Sequence, residues 1–402
     1  MEASSMRTLV IDDEPFMLKL LARQLKDLGF EEVMLHKCGH EALSMLENEA
    51  ETIGLIFCDL QMPKMDGVEF VRHLVRVGYA GSLVLVSGEA DRVLQSAEKL
   101  AKAHQLRVLG VLQKPVSPDQ LKQMLNGKRS FSTAAPRRSY GPNEIRRAIA
   151  VGELENYYQP KVEFASGAIA GVEALVRWHH PRDGLVGPDQ FIPTAEEHGL
   201  IDELTRAVLS ATLRQARLWQ DAGWHLHVAV NVSMDSLAAL EFPDFVAREI
   251  DAAGVLATSL VLEITEGRLM KNPLAALDIL TRLRLKRIRL SIDDFGTGYS
   301  SLAQLRDIPF DELKVDRGFV HGACRDPSLK AIVEASLGLA RQLGMKTVAE
   351  GVEDQADWDY LRSAGCDLAQ GYFIAKPQSA RDLGAWMVEW ERRRLQPERS
   401  PS

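Results

Sequence analysis

Residues 289–299 read Arg-Leu-Ser-Ile-Asp-Asp-Phe-Gly-Thr-Gly-Tyr and put two adjacent carboxylates, Asp293 and Asp294, at the end of an alternating apolar run. Neighbouring acids at a strand end repel unless a cation sits between them. A glycine-spaced loop, Gly296-Thr297-Gly298, follows at once. The stretch reads either as a solvated turn or as a divalent-metal site under a mobile loop. The rest of the chain favours the second. Acids or amides recur at strand ends: Glu173, Asn231, Glu263, Asp293 with Asp294, Lys314 with Asp316, and Glu350. Carboxylates and an amide carbonyl are hard oxygen ligands, suited to Mg²⁺ or Mn²⁺. Burying so many unpaired acids in a barrel that prefers Val, Ile and Leu would cost several kcal/mol each, so a cation is expected among them.

A second constellation lies nearer the N-terminus. Asp12 and Asp13 follow one apolar run and Asp59 another, Ser87 ends a third, and Lys114-Pro115 ends a fourth. At the carboxyl ends of a parallel sheet these groups converge in one crevice. Three carboxylates there need Mg²⁺, which also neutralises an incoming phosphoryl group, with Asp59 as nucleophile. Ser87 and Lys114 can then hold the phosphoryl oxygens.

The elements that must position these residues fall in two blocks. Between residues 6 and 126, the runs Thr8–Ile11, Glu32–Leu35, Ile53–Phe57, Leu83–Val86 and Arg107–Leu112 alternate with amphipathic stretches. They predict a doubly wound (βα)5 sheet. Residues 127–142, with Lys128, Arg129, Arg137 and Arg138 among small and polar residues, read as a solvated linker. From 143 to 390, strand candidates recur at Tyr157–Val162, Ile169–Val176, His227–Val232, Leu260–Ile264, Arg289–Ile292, Glu312–Val315, Lys346–Ala349 and Leu368–Ile374. Eight strands over that length predict a (β/α)8 barrel, whose site lies at the carboxyl face. Residues 391–402 read as a flexible tail.

Composition narrows the function. The 402 residues are 46% hydrophobic and 26% charged, enough for two or three globular domains. A net charge of −8, with no zinc finger or helix-turn-helix, argues against DNA as partner. No apolar run spans a membrane and no signal peptide opens the chain, so membrane insertion is not expected and a cytoplasmic location is. The four cysteines show no CxxC spacing and fit reduced thiols. His179 and His180, before Pro181, read as turn residues, and His225 and His227 as partly exposed ones at a strand start.

The first block resembles the receiver domain of two-component response regulators, with its acids, hydroxyl and lysine on the expected strands in order. The resemblance implies that Asp59 accepts phosphate from a sensor histidine kinase while Asp12 and Asp13 help hold one Mg²⁺. One departure stands out: Val111 replaces the aromatic that receivers carry three residues before the lysine, so the usual relay to the output domain is not expected here.

The second block resembles the EAL-domain phosphodiesterases, named for the motif Glu173-Ala174-Leu175. Tyr158-Gln159-Pro160, Phe191-Ile192-Pro193 with Ala195-Glu196, and Gln370-Gly371-Tyr372-Phe373 match as well. The resemblance implies a TIM-like barrel with an antiparallel first strand. It implies hydrolysis of cyclic di-GMP to linear pGpG at two metal ions, in a homo-oligomer assembled through this domain. Glu173, Asn231, Glu263 and Asp293 would hold one metal. Asp293 would bridge to the second, with Asp294 and Asp316 helping. Glu350 would be the general base, and Lys314 would orient the water or stabilise developing charge. Arg177 would bind the scissile phosphate, and Gln159, Leu175, Glu353 and Gln370 the rest of the substrate. Glu266, Gly296 and Gly298 are read as parts of a two-state regulatory loop. No expected ligand is substituted, so hydrolysis is expected. The rivals are a receptor that binds cyclic di-GMP without hydrolysing it and a regulator acting through protein contacts.

Overall fold

The computed structural model describes residues 6–49, 52–88, 91–104, 106–126, 140–233, 235–265, 273–296, 305 and 307–395. The chain divides into two compact units, 1–137 and 138–402.

In the first unit β1 (Arg7–Ile11), β2 (Val33–His36), β3 (Ile53–Asp59), β4 (Ser82–Ser87) and β5 (Arg107–Gln113) form one parallel sheet ordered β2-β1-β3-β4-β5. Both faces are buried, as parallel strands require. Leu9, Ile11, Ile56, Cys58, Leu83 and Leu85 pack into one core. The residues between them, Val10, Leu55, Phe57, Val84 and Val86, pack into the other. The strand order reverses between β1 and β3, which opens a crevice at their carboxyl ends.

In the second unit the antiparallel pair β6 (Leu154–Glu163) and β7 (Ile169–His180) opens the sheet. β9 (His227–Asn231), β10 (Leu260–Thr265), β11 (Arg289–Phe295), β12 (Glu312–Val315), β13 (Lys346–Ala349) and β14 (Leu368–Ala369) follow in order, parallel to β7. β14 returns to pair antiparallel with β6, so these eight strands close a barrel whose first strand runs against the others. Short strands β8 (Gly184–Val186) and β15 (Gln378–Ser379) extend β7 and β6.

Strand alternation divides the barrel residues in two. Leu260, Leu262, Ile264, Leu290, Ile292, Leu313 and Val315 belong to the core under the helices. Their neighbours Glu263, Ser291, Asp293, Glu312 and Lys314 are buried outside that apolar cluster. The lumen therefore differs from the apolar filling expected of a barrel: it is ionic, with Lys161 and Lys314 each paired to more than one acid.

Three boundaries differ from the sequence reading. β14 stops at Ala369 because the chain must turn there: a Cβ on Gly371 would meet Val352 O at 2.1 Å and Val352 N at 2.3 Å. The last helix, Ala380–Leu395, runs into the stretch read as a tail, since Glu389 pairs with Arg392 and Arg393, and Glu391 with Arg394. At the end of the stretch read as a linker, Tyr140 is 2% exposed and a helix starts at Pro142. The Tyr140 ring lies 4.7 Å from Trp178 and 5.2 Å from His180, and its hydroxyl reaches Asp183 at 3.2 Å.

Candidate active sites

In the first unit Asp12 and Asp59 are each 1% exposed and Asp13 is half-buried. One carboxylate oxygen from each lies within 4.8 Å of the others. Lys114 Nζ sits 2.9 Å from Asp12, 2.8 Å from Asp59 and 3.2 Å from Glu14. Burial pushes Asp12 and Asp59 up, partly offset by Lys114. A surplus of crowded acid over one ammonium favours a further cation. Ser87 is buried at the end of β4, and its carbonyl accepts from Lys114 N at 2.8 Å. Val111 packs against the core beside the sheet. Burial also pushes the Cys58 thiol far up, which suits a core residue.

In the barrel, Glu173, Leu175 and Arg177 alternate along β7, so all three face the same side of the strand. Glu173 accepts from Asn231 Nδ2 at 2.8 Å and from Gln370 Nε2 at 2.6 Å. Gln370 also reaches Gln159 at 3.1 Å, and Gln159 donates to Ala375 O at 3.1 Å. Four of the expected acids surround one ammonium. Lys314 Nζ lies 2.7 Å from Glu350, 2.8 Å from Glu263, 3.0 Å from Asp293 and 3.5 Å from Glu173.

The adjacent acids of β11 converge because the strand breaks its own alternation. Asp294 has φ 55°, in the left-handed region, and the register to β12 shifts between Ile292 and Phe295. That turn brings Asp294 to the same side as Asp293 and Glu350, whose carboxylate oxygens all lie within 4.8 Å. Burial, with Asp293 and Asp316 nearby, pushes Asp294 up to about 6. Burial pushes Glu350 up to about 8 against the pull of Lys314. Asp316 is turned differently: its Oδ1 caps the helix Arg317–Val320 by accepting from Gly318 N at 2.9 Å. Gly296 has φ 94° and faces Phe319. Glu266 and Gly298 lie outside the described residues.

Lys161 is a participant the sequence reading missed. It is 4% exposed, and its Nζ lies 2.6 Å from Glu263 Oε1 and 3.9 Å from Glu312. Burial pushes Glu263 up, but Lys161 and Lys314 outweigh it and hold the carboxyl at about 2. The available signal was a lysine inside the otherwise inward-packed strand around Pro160-Lys161-Val162.

The acids fit a divalent cation. Glu173, Glu263, Asp293, Asp294 and Glu350 outnumber Lys161 and Lys314, and three of them, Glu173, Asp294 and Glu350, are pushed up by burial and by neighbouring acids. Beside them opens a cleft of about 270 Å³ lined by Gln159, Glu173, Glu350, Glu353, Gln370 and Tyr372. A more apolar recess of about 240 Å³, with Leu175, Ile192, Glu196 and Asn231 in its wall, shares Leu175 with it. Arg177 is half-buried over Tyr157, and Glu353 pairs with Arg317 at 2.5 Å.

A phosphoacceptor-type sheet followed by an acid-mouthed barrel defines a response regulator with an EAL output. The chain belongs to the EAL domain family, which matches residues 142–377, and a response regulator receiver domain matches 8–126. Over 380 residues it is 33% identical to the cyclic di-GMP phosphodiesterase RocR of Pseudomonas aeruginosa, covering 93% of this chain and 96% of that one. The bifunctional diguanylate cyclase/cyclic di-GMP phosphodiesterase MucR of the same organism is 42% identical over 244 residues, 60% of this chain but only 35% of MucR. Among solved structures, the MucR phosphodiesterase in complex with c-di-GMP matches with TM-score 0.58, covering 60% of this chain and 98% of that one. Among the described residues no helix is long and apolar enough to cross a membrane.

Proposed function

We propose that this protein is a cytoplasmic response regulator that hydrolyses cyclic di-GMP to linear pGpG and whose receiver modulates that activity. The observation that carries this reading is the convergence of Glu173, Glu263, Asp293 and Glu350 on Lys314 beside the open cleft. The similarity to RocR across both units supports the same substrate and domain logic.

Glu173, Asn231, Glu263 and Asp293 would hold one Mg²⁺ or Mn²⁺, and Asp293 with Asp294 a second, Asp316 lying nearby. Held there, such cations would supply Lewis acidity to the phosphodiester and to an attacking water. Glu350, in the cleft wall and 2.7 Å from Lys314, would take a proton from the attacking water. Lys314 holds Glu350 in place and stabilises developing negative charge. Arg177 binds the scissile phosphate. Gln159, Leu175, Glu353 and Gln370 line the cleft beside the acids and would hold the rest of the substrate, with Leu175 also in the wall of the apolar recess. In the receiver, Asp59 would take phosphate from a sensor histidine kinase, Asp12 and Asp13 would hold one Mg²⁺, and Ser87 and Lys114 would hold the phosphoryl oxygens. Glu266, Gly296 and Gly298 belong to a loop that transmits regulation, and the chain self-associates through the barrel.

Incubating pure protein with cyclic di-GMP and Mg²⁺ or Mn²⁺ tests the activity, with pGpG read by chromatography. Turnover abolished by chelation is expected. Tight binding with no pGpG under either metal would overturn the enzyme reading in favour of a receptor.

A further inference from the structure

Asp357 lies in the first turn of the helix Gln355–Ser363 and has no exposed surface. A buried carboxylate persists only where donors satisfy it. The helix is already capped by Asp354, whose Oδ1 accepts from Asp357 N at 2.8 Å, so the Asp357 carboxylate serves something else. Its Oδ1 accepts from Gly322 N at 3.0 Å. Its Oδ2 takes Glu353 N at 3.2 Å and His321 Nδ1 at 2.9 Å.

These donors come from two different loops at the mouth of the barrel. The segment after β12 carries Asp316, Arg317 and His321 at the ends of the short helix Arg317–Val320, and the loop after β13 carries Glu350, Gly351 and Glu353. Most of the second loop is fixed by backbone alone. Glu350 N donates to Val315 O at 3.1 Å, Val352 N to Gln370 O at 3.1 Å, and Val352 O accepts from Phe373 N at 3.0 Å. Beyond Val352 the holding passes to a side chain, Asp357. At that point Glu353 enters the cleft wall and pairs with Arg317. The Arg317 stem crosses directly over Gly351, where a Cβ would meet Arg317 Cγ at 2.2 Å. Arg317, Gly351 and Glu353 are thus packed as one piece, with Asp357 and His321 behind it. His321 Nε2 stands 3.9 Å from Glu353 Oε2, while Asp354 is paired with Arg325 at 3.1 Å. His321, Asp354 and Asp357 could be mistaken for a metal site, but both Asp357 oxygens are already taken by protein donors.

We propose that Asp357 and His321 form a brace that positions Glu353 and Arg317, and so sets the affinity for substrate rather than the rate of the chemical step. The inference rests on the phosphodiesterase reading for its ligand, cyclic di-GMP. Asp357→Asn puts an amide where an acceptor is needed, because one of its two ends must face a donor. KM for cyclic di-GMP, and Kd measured in the Glu350→Gln background to suppress turnover, should rise about tenfold, with kcat within about threefold. His321→Ala should raise KM less, and His321→Asn, which keeps a donor near the Nδ1 position, should recover most of that loss. An unchanged KM in folded Asp357→Asn would overturn the proposal. So would losses of kcat and melting temperature with no change in KM, the pattern of a merely structural residue. If Asp357→Asn does not fold, the His321→Ala and His321→Asn pair decides by the same criteria, since His321 is half-exposed. Should the wild-type protein bind cyclic di-GMP without turnover, the enzyme reading fails while Kd still reports on the brace.

Discussion

Lys314 stands among four acids and is 0% exposed, which makes its charge structural as well as chemical. Removing one partner of a buried ionic group costs about 3–5 kcal/mol, because the remaining charges are left uncompensated. Lys314→Met should therefore lower the unfolding free energy of the chelated protein, read from urea melts, by an amount in that range. Added Mn²⁺ should restore part of it, since a cation can take over the neutralising role. The metal-dependent recovery, absent in a variant of a remote surface lysine, is the discriminating signal. Glu350→Gln keeps the shape and loses the base. It should drop kcat by about 10²–10⁴ while the Kd for cyclic di-GMP moves only a few-fold.

At the level of elements, the left-handed Asp294 is what lets two sequence neighbours serve one site. A left-handed residue costs about 1–3 kcal/mol when bulky or β-branched, whereas Asn tolerates it. Asp294→Asn should fold as the parent and weaken metal binding, and Asp294→Val should also lose stability in denaturant melts. At the opposite end of the barrel strands, burial and then Arg289 and Lys346 push His227 down to about 4. Between about pH 6.5 and 4 the unfolded chain then binds a proton that the folded one refuses, so stability falls as pH drops through that window. His227→Gln should flatten that limb of the midpoint-versus-pH curve. The elements themselves were legible, because alternating Val, Ile and Leu with acids at their ends fixes both a strand and the rim it points to. Asp357 was not legible, and Lys161 offered only a weak signal. A lysine in a strand and an aspartate in a first helical turn are ordinary in sequence, and only closure of the barrel and meeting of two loops give them partners. The Asp293–Asp294 convergence was visible as chemistry but not as backbone geometry, since φ is set by pairing with β12. Glu266 and Gly298 stay as sequence expectations.

For the whole molecule, Val111 stands where receivers carry an aromatic, so the proposed phosphorylation at Asp59 calls for a relay of another kind. The Asp59 pocket has the acids, hydroxyl and lysine for the chemistry, so beryllofluoride with Mg²⁺ should change the rate of pGpG formation in the parent. Asp59→Asn should abolish that response and leave the unstimulated rate within about twofold. A response that survives the substitution would move control elsewhere in the chain. The barrel also limits how an inactive relative of this protein can arise. Lys161, Glu263, Lys314 and Glu350 form one continuous ionic column through the lumen, each charge held by the next. Deleting a member leaves its buried neighbours uncompensated, so loss of activity by truncation drags folding down with it. An amide in place of an acid keeps donors, acceptors and volume nearly in place. A folded, ligand-binding, non-hydrolysing descendant of this barrel is therefore most accessible through Glu→Gln and Asp→Asn exchanges, and a search for receptor-type relatives should look for those signatures rather than for missing motifs.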